Sequence, residues 1–286
     1  MNIPHSHDQN SDQVAYWNGP AGQRWADRQA AQDVLLKPVA DLVVDRAGFK
    51  PGECVIDIGC GSGATTIAFA RKVAPAGRVL GVDVSEPMLE RARQAAPKEL
   101  PIEFVRADAT VYPFEPASFD VLASRFGVMF FADPALSFAN MRKALKPSGR
   151  LTFACWREPR ENPFFMAPLA AAYKHVPKLP PQGPEDPGPF AFASEARVRR
   201  ILGDAGFTNV GMEACPLALD AAIGRGLDGA VQGVLEIGPV SRALDGQPDH
   251  LRTAAANEIR EALTPFAKGS AVLLPASVWV VTAKAS

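Results

Sequence analysis

The shortages in this chain of 286 residues exclude more than its abundances do. Cysteine is scarce: Cys54, Cys60, Cys155 and Cys215 lie far apart, with no C-x-x-C pair. That argues against a disulfide scaffold and against a zinc site, and no clustered Asp/Glu/His spacing points to another metal. Charge of one sign is not in excess, with 30 basic against 31 acidic residues and no polybasic run. An electrostatic hold on nucleic acid or on an anionic membrane is therefore not expected. No apolar run reaches the ~18 residues of a membrane span, and the nearest approach, 271–283, is interrupted by Pro275 and Ser277. The N-terminus is polar and lacks a basic-then-apolar signal. The composition, 47% hydrophobic and 21% charged, is that of a globular protein with a sizeable buried core. A cytoplasmic enzyme with reduced thiols is the expectation. Nothing in the pattern fixes an oligomeric state.

What is present is a rhythm. Residues 1–48 read as N-terminal helices, broken at Asn18-Gly19-Pro20. From 49 to 156 short β-branched runs alternate with helical segments. Strands are expected at 53–58, 78–83, 102–106, 119–124 and 150–156, with helices after each glycine, serine or aspartate turn; Ser85 is a candidate N-cap. Such alternation means βαβ units and a doubly wound α/β fold with a parallel sheet. Segment 157–192 contains a proline-rich stretch, with six prolines and two glycines between Val176 and Phe190, and is expected to be a loop or lid. Residues 193–220 read as a further core helix and strand, 221–270 as a helical insertion, and 271–286 as a closing strand.

The first strand ends in Asp57-Ile58-Gly59-Cys60-Gly61-Ser62-Gly63. Glycines there permit positive φ and close approach of a ligand to the backbone. Gly59, Gly61 and Ala64 also satisfy a loose dinucleotide pattern, which alone is a weak signal. Asp57 decides between ligands. A carboxylate at that strand end repels a pyrophosphate and attracts an ammonium or a sulfonium, so the loop suits S-adenosylmethionine better than NAD. Asp83 ends the second strand, where a carboxylate can accept both ribose hydroxyls. Asp108 follows the third, where it can accept from an adenine amino group. Three acids at three successive strand ends are more specific than any one of them.

Residues 55–63, 81–85, 106–109, 119–124 and 145–153 resemble the successive motifs of class I S-adenosylmethionine-dependent methyltransferases. The resemblance is to the ubiquinone/menaquinone-biosynthesis type of small-molecule C-methyltransferases (methyltransferase type 11) and their relatives. It is strong over about 50–156 and weaker over 193–220 and 271–286. It implies a Rossmann-like seven-stranded sheet with an antiparallel last strand, and helical N-terminal and inserted cap segments. It further implies that Asp57, Gly59, Cys60, Gly61 and Gly63 surround the methionyl part of the donor. Asp83 and Val84 would lie at the ribose, Asp108 and Ala109 at the adenine. Met88 corresponds to a position that packs on the nucleoside, with ordinary core as the alternative. Trp25 would close over the cofactor from the N-terminal helices, though helix packing also explains it. Arg125 is assigned to the cofactor, with an acidic substrate group or a surface salt bridge as alternatives. S-adenosyl-L-homocysteine would be the product.

The acceptor side carries less signal. After the fourth strand the chain reads Ser124-Arg125-Phe126-Gly127, not the Asn/Asp-Pro-Pro-aromatic of amino-methylating enzymes. Asn162-Pro163-Phe164-Phe165 imitates that motif but follows the fifth strand, and is read as a loop and helix start. Residues 126–131 are an apolar run that either lines an acceptor pocket or is core. The four histidines, His5, His7, His175 and His250, all fall outside the strand–helix core, so no general base is assigned. His175, beside the proline-rich stretch, could reach an acceptor hydroxyl, with a solvated loop histidine as the alternative. The expected partner is a small, partly apolar molecule methylated at O, N or C. A nicotinamide-dependent oxidoreductase and a non-catalytic S-adenosylmethionine-binding protein are the competing readings.

Overall fold

A computed structural model describes residues 10–183 and 185–285. His5 and His7 lie outside the described residues. Five strands run parallel: β1 (Cys54–Ile58), β2 (Arg78–Asp83), β3 (Ile102–Arg106), β4 (Phe119–Arg125) and β5 (Leu145–Trp156). Val55, Ile56 and Ile58 of β1 and Val121, Leu122 and Ala123 of β4 are all buried, as a strand covered on both faces requires. In space the order is β3-β2-β1-β4-β5, continued by β8 (Ala271–Lys284) and β6 (Thr208–Asp220). β8 is antiparallel to both its neighbours. The two-residue β7 (Ala267–Lys268) pairs with β8. The expected doubly wound sheet with an antiparallel last strand is what forms.

The chain builds outward from β1 to β3, then returns to lay β4 on the other side of β1. Loops leaving the carboxyl ends of β1 and β4 therefore diverge, and a crevice opens between them. Between the strands lie α5 (Ala64–Val73), α6 (Glu86–Ala95) and α7 (Pro134–Ala144), with α9 (Glu195–Asp204) before β6. Asp133 caps α7, its Oδ1 accepting from the Leu136 N–H at 2.9 Å. Ser85 does not cap α6 with its side chain. Its hydroxyl donates instead to Trp17 O at 2.7 Å, while Asn18 Oδ1 accepts the Glu86 N–H at 3.1 Å. A helix end inside the core is thus capped from the N-terminal segment.

Among the described residues that segment is four helices: α1 (Ser11–Asn18), α2 (Pro20–Asp27), α3 (Gln29–Leu35) and α4 (Lys37–Ala47). Gly19 separates α1 from α2, and Pro20 opens α2 where its missing N–H costs nothing. Val39, Val43 and Ala47, spaced by four, form the buried stripe of α4 against the sheet.

Prolines in β6 and β8 need a reason, because proline removes a ladder hydrogen bond. β5 pairs with β8 only from Val278 to Lys284, so Pro275 sits beyond the shared stretch. Pro216 lies in β6, the outermost strand. The β6–β8 pair therefore outgrows the sheet as a ribbon, and its far end carries the cap. There α8 (Pro163–Ala172), α10 (Gly226–Glu236), α11 (Pro239–Leu244) and α12 (Asp249–Leu263) pack on Val272 and Leu274 as a second apolar cluster. Segments 157–192 and 221–270, read separately in the sequence, share this core.

Candidate active site

The glycine loop takes its shape from three positive-φ glycines, at +64° for Gly59, +53° for Gly61 and +87° for Gly63. Their reasons differ. A Cβ on Gly59 would stand 2.4 Å from Gly127 Cα, so Gly59 is needed for a backbone crossing between the β1 and β4 loops. A Cβ on Gly63 would press on Ala92 and Phe104. On Gly61 it would meet, among the described residues, only Met88 Sδ, at 3.7 Å. Gly61 is thus the glycine whose bare face looks into the crevice. The Cys60 side chain is buried toward the sheet, with Sγ 3.1 Å from where a Gly81 Cβ would be.

The three acids sit at three adjacent strand ends, each anchored differently. Asp57 is fully buried; its Oδ2 accepts from the hydroxyls of Thr65 (2.7 Å) and Thr66 (2.6 Å), and its Oδ1 has no partner. Burial pushes its carboxyl up to about 6, against the opposing pull of the two hydroxyls and Arg125. An unpaired oxygen of a buried carboxylate is expensive unless a donor meets it. Asp83 Oδ2 accepts from the Gly61 N–H and its Oδ1 from the Ser85 N–H, both at 2.8 Å. Burial raises this carboxyl as well, although the backbone N–H groups resist the shift. Asp83 therefore shapes the glycine loop besides facing the crevice. Asp108 Oδ1 accepts from Thr110 N and Oδ2 from Asn10 Nδ2, each at 2.8 Å.

Met88 and Ala109 are buried at the rim, and Val84 turns its carbonyl to Asn18 Nδ2 at 2.9 Å. Arg125 ends β4 with no hydrogen-bond partner among the described residues. Burial draws its guanidinium down, while Asp33 of α3 and Asp57 of β1 hold it up. Its side chain is half-buried and makes no ion pair among the described residues. Trp25 meets Trp17 edge to face at 6.2 Å, and Trp17 meets Phe130 at 5.3 Å, so the indoles fasten α1 and α2 over the strand ends.

Sequence reasoning missed the pins of this cover. Asn10, Asn18 and Gln29 reach three different loops: Asn10 to Asp108 and Thr110, Asn18 to Val84 and Glu86, and Gln29 to Ser62 O. The Asn-Gly-Pro break carried a signal for Asn18; Asn10 and Gln29 carried none. Gly127 also went unnoticed, although its Cβ would lie 2.5 Å from Ile58 O.

Beyond β4 the surroundings turn aromatic. Phe126 has φ +71°, a conformation a phenylalanine rarely holds. It stacks on Trp156 at 4.3 Å and 11°. Trp156 in turn meets Phe165 edge-on at 4.9 Å, and Phe165 meets Phe190 at 5.7 Å. Within 126–131, Phe126, Val128 and Met129 belong to the buried core, whereas Phe130 and Phe131 are only half-buried. His175 Nε2 lies 3.6 Å from Glu258 of the cap helix α12, a structural ion-pair position. Among the described residues no cluster of His, Cys, Asp and Glu can hold a metal, and no helix is long and apolar enough to cross a membrane.

A glycine loop, acids at three adjacent strand ends and an arginine at the end of β4 thus lie along one edge of the sheet. A family profile described as a methyltransferase domain matches residues 55–149. The demethylmenaquinone methyltransferase of Staphylococcus aureus is 31% identical over 177 residues, 59% of this chain and 73% of that protein. An uncharacterized 37.1 kDa protein of transposon Tn4556 from Streptomyces fradiae is 33% identical over 127 residues, but the chain spans only 36% of its length. In structure, the YcgJ protein of Bacillus subtilis superposes with a TM-score of 0.57 over 87% of this chain and 98% of its own, at 17% identity, a likeness of fold. The chain belongs to the S-adenosylmethionine-dependent methyltransferases. It is an enzyme whose methyl donor is S-adenosylmethionine, and the nicotinamide and non-catalytic readings fall.

Proposed function

We propose that this enzyme methylates a small, largely apolar molecule lying against the aromatic wall beyond β4, with the donor held across the three strand-end acids. The orphaned Asp57 Oδ1 and the open face of Gly61 fit the donor's amino-acid end. Asp57 would accept from the ammonium, and Arg125, free of hydrogen bonds, would pair with the carboxylate. Asp83 keeps lone pairs for the ribose hydroxyls after serving Gly61 and Ser85. Asp108 and Ala109 would border the adenine.

Bound there, the donor supplies an electrophilic methyl on a sulfonium. The chain's own share is positioning and exclusion of water. The α1 and α2 cover, fastened by Trp17 and Trp25, would shield the crevice, and the rings of Phe126, Trp156, Phe165 and Phe190 would orient the acceptor. Holding two reactants in line supplies much of a transfer's acceleration without a proton-moving residue. The observation that carries the reading of the acceptor is Phe126. Its positive φ stores on the order of 1–3 kcal/mol, and what that strain achieves is a ring laid on Trp156 at the strand end.

The test is a methyl-transfer assay, reading S-adenosylhomocysteine release over a panel of phenols, quinols and aryl amines against sugars and amino acids. Turnover confined to the flat apolar members, and cut at least ~10-fold by Trp156→Ala, is expected. Turnover confined to the polar members would refute the aromatic wall as the acceptor's seat.

A further inference from the structure

We infer that Asn10 is a positioning residue for nucleobase selectivity: it aims the Asp108 carboxylate so that the site takes a 6-amino purine and rejects a 6-oxo one. The inference rests on the reading of Asp108 as the adenine-side acid. Asn10 stands at the N-cap of α1, where an asparagine side chain ordinarily accepts an N–H of its own helix. It makes no such bond. Its Nδ2 donates instead to Asp108 Oδ2 at 2.8 Å and to Thr110 Oγ1 at 2.9 Å, and its Oδ1 accepts from Ala132 N at 3.0 Å.

Proton bookkeeping leaves one arrangement. The Ala132 N–H can only donate, so the amide oxygen must face it and both amide N–H bonds point the other way. Ser137 gives its proton to Asp133 O at 2.7 Å. The Thr110 hydroxyl, 2.8 Å from Ser137 Oγ, must then donate to it, which leaves Thr110 Oγ1 free to accept from Asn10. Asp108 Oδ1 is meanwhile held by the Thr110 N–H. Each carboxylate oxygen is thus fixed by one N–H, and what remains on both is acceptor capacity alone. Such a surface receives an amino group and opposes a carbonyl oxygen. Asn10 is 6% exposed, so its loss strands a buried hydroxyl and a backbone N–H and lets the carboxylate turn.

The test titrates the whole protein calorimetrically with S-adenosylhomocysteine and with S-inosylhomocysteine, its 6-oxo counterpart. Wild type should prefer the amino ligand, and Asn10→Ala should shrink that preference about 5- to 30-fold. Asn10→Ser, which keeps a polar group at the helix start, carries the same comparison should the alanine variant not fold. Asn18→Ala is the control. It frees the Val84 and Glu86 loop, so it should weaken both ligands together and leave their ratio unchanged. A ratio that stays at the wild-type value in the Asn10 variants, whether or not both affinities fall, would overturn the inference. Wild-type protein that fails to bind S-adenosylhomocysteine would instead overturn the donor-site reading, and this inference with it.

Discussion

The proposed donor end and the proposed acceptor end of the crevice are built on different principles. At the donor end, polar atoms meet backbone: Asp83 takes the N–H groups of Gly61 and Ser85, and Gly59 N donates to Val82 O. At the acceptor end, rings meet rings, from Phe126 through Trp156 and Phe165 to Phe190. A site of the first kind draws on strand ends that lie close together in sequence. An aromatic wall draws on β4, β5, α8 and the proline-rich stretch, so a single substitution can reshape it without touching the donor. Donor affinity and methyl transfer should therefore be separable.

The largest effect should come from Gly61→Val. A side chain there fills the open face of the loop and strains a φ of +53°. S-adenosylhomocysteine binding should drop beyond calorimetric detection while the far-ultraviolet circular dichroism stays that of wild type. Retained binding would make Gly61 a mere turn residue. Asp83→Ala should follow, weakening the ligand roughly 10- to 150-fold, the range of hydrogen bonds to a charged group. Since Asp83 also holds the Gly61 and Ser85 N–H groups, some loss of Tm should accompany it.

A pH series sharpens the donor side. The Asp57 carboxyl, raised from 3.8 to about 6, keeps its proton in the free folded protein over a window in which the unfolded chain has lost it. Stability attributable to Asp57 should therefore fall as pH rises from about 4 to 6 and remain lower above that, by on the order of 3 kcal/mol. A ligand ammonium at Oδ1 offsets the cost of the charge. S-adenosylhomocysteine should accordingly raise Tm more at pH 8 than at pH 5, and Asp57→Asn should abolish the difference. An equal shift at both pH values would remove Asp57 from the site. The smallest effect is expected from His175→Ala. With its ring turned to Glu258, turnover should change less than ~10-fold, well short of the loss of a general base.

The donor half was legible in the sequence because its signals are local. The strands β2 and β3 fall on the expected residues, and the glycine loop and its acids occupy their expected strand ends. What was not legible depends on approach in three dimensions. Gly127 matters because Gly59 crosses it, Cys60 turns to the sheet because Gly81 leaves room, and Ser85 yields its capping role because α1 brings Asn18. Asn10 carries no pattern at all; 98 residues separate it from Asp108, and only the folded cover joins them. Pro275 read as an interruption, yet it sits where β8 has not yet joined β5.

The separation of the two halves is tested most directly by titrating S-adenosylhomocysteine into Phe126→Ala. Phe126 adjoins Arg125 in sequence but belongs to the aromatic wall, so the account predicts a Kd within ~3-fold of wild type alongside methyl transfer reduced by ~10-fold or more. A Kd weakened by ~30-fold or more, with turnover at saturating donor unchanged, would contradict it and place the ring in the donor site.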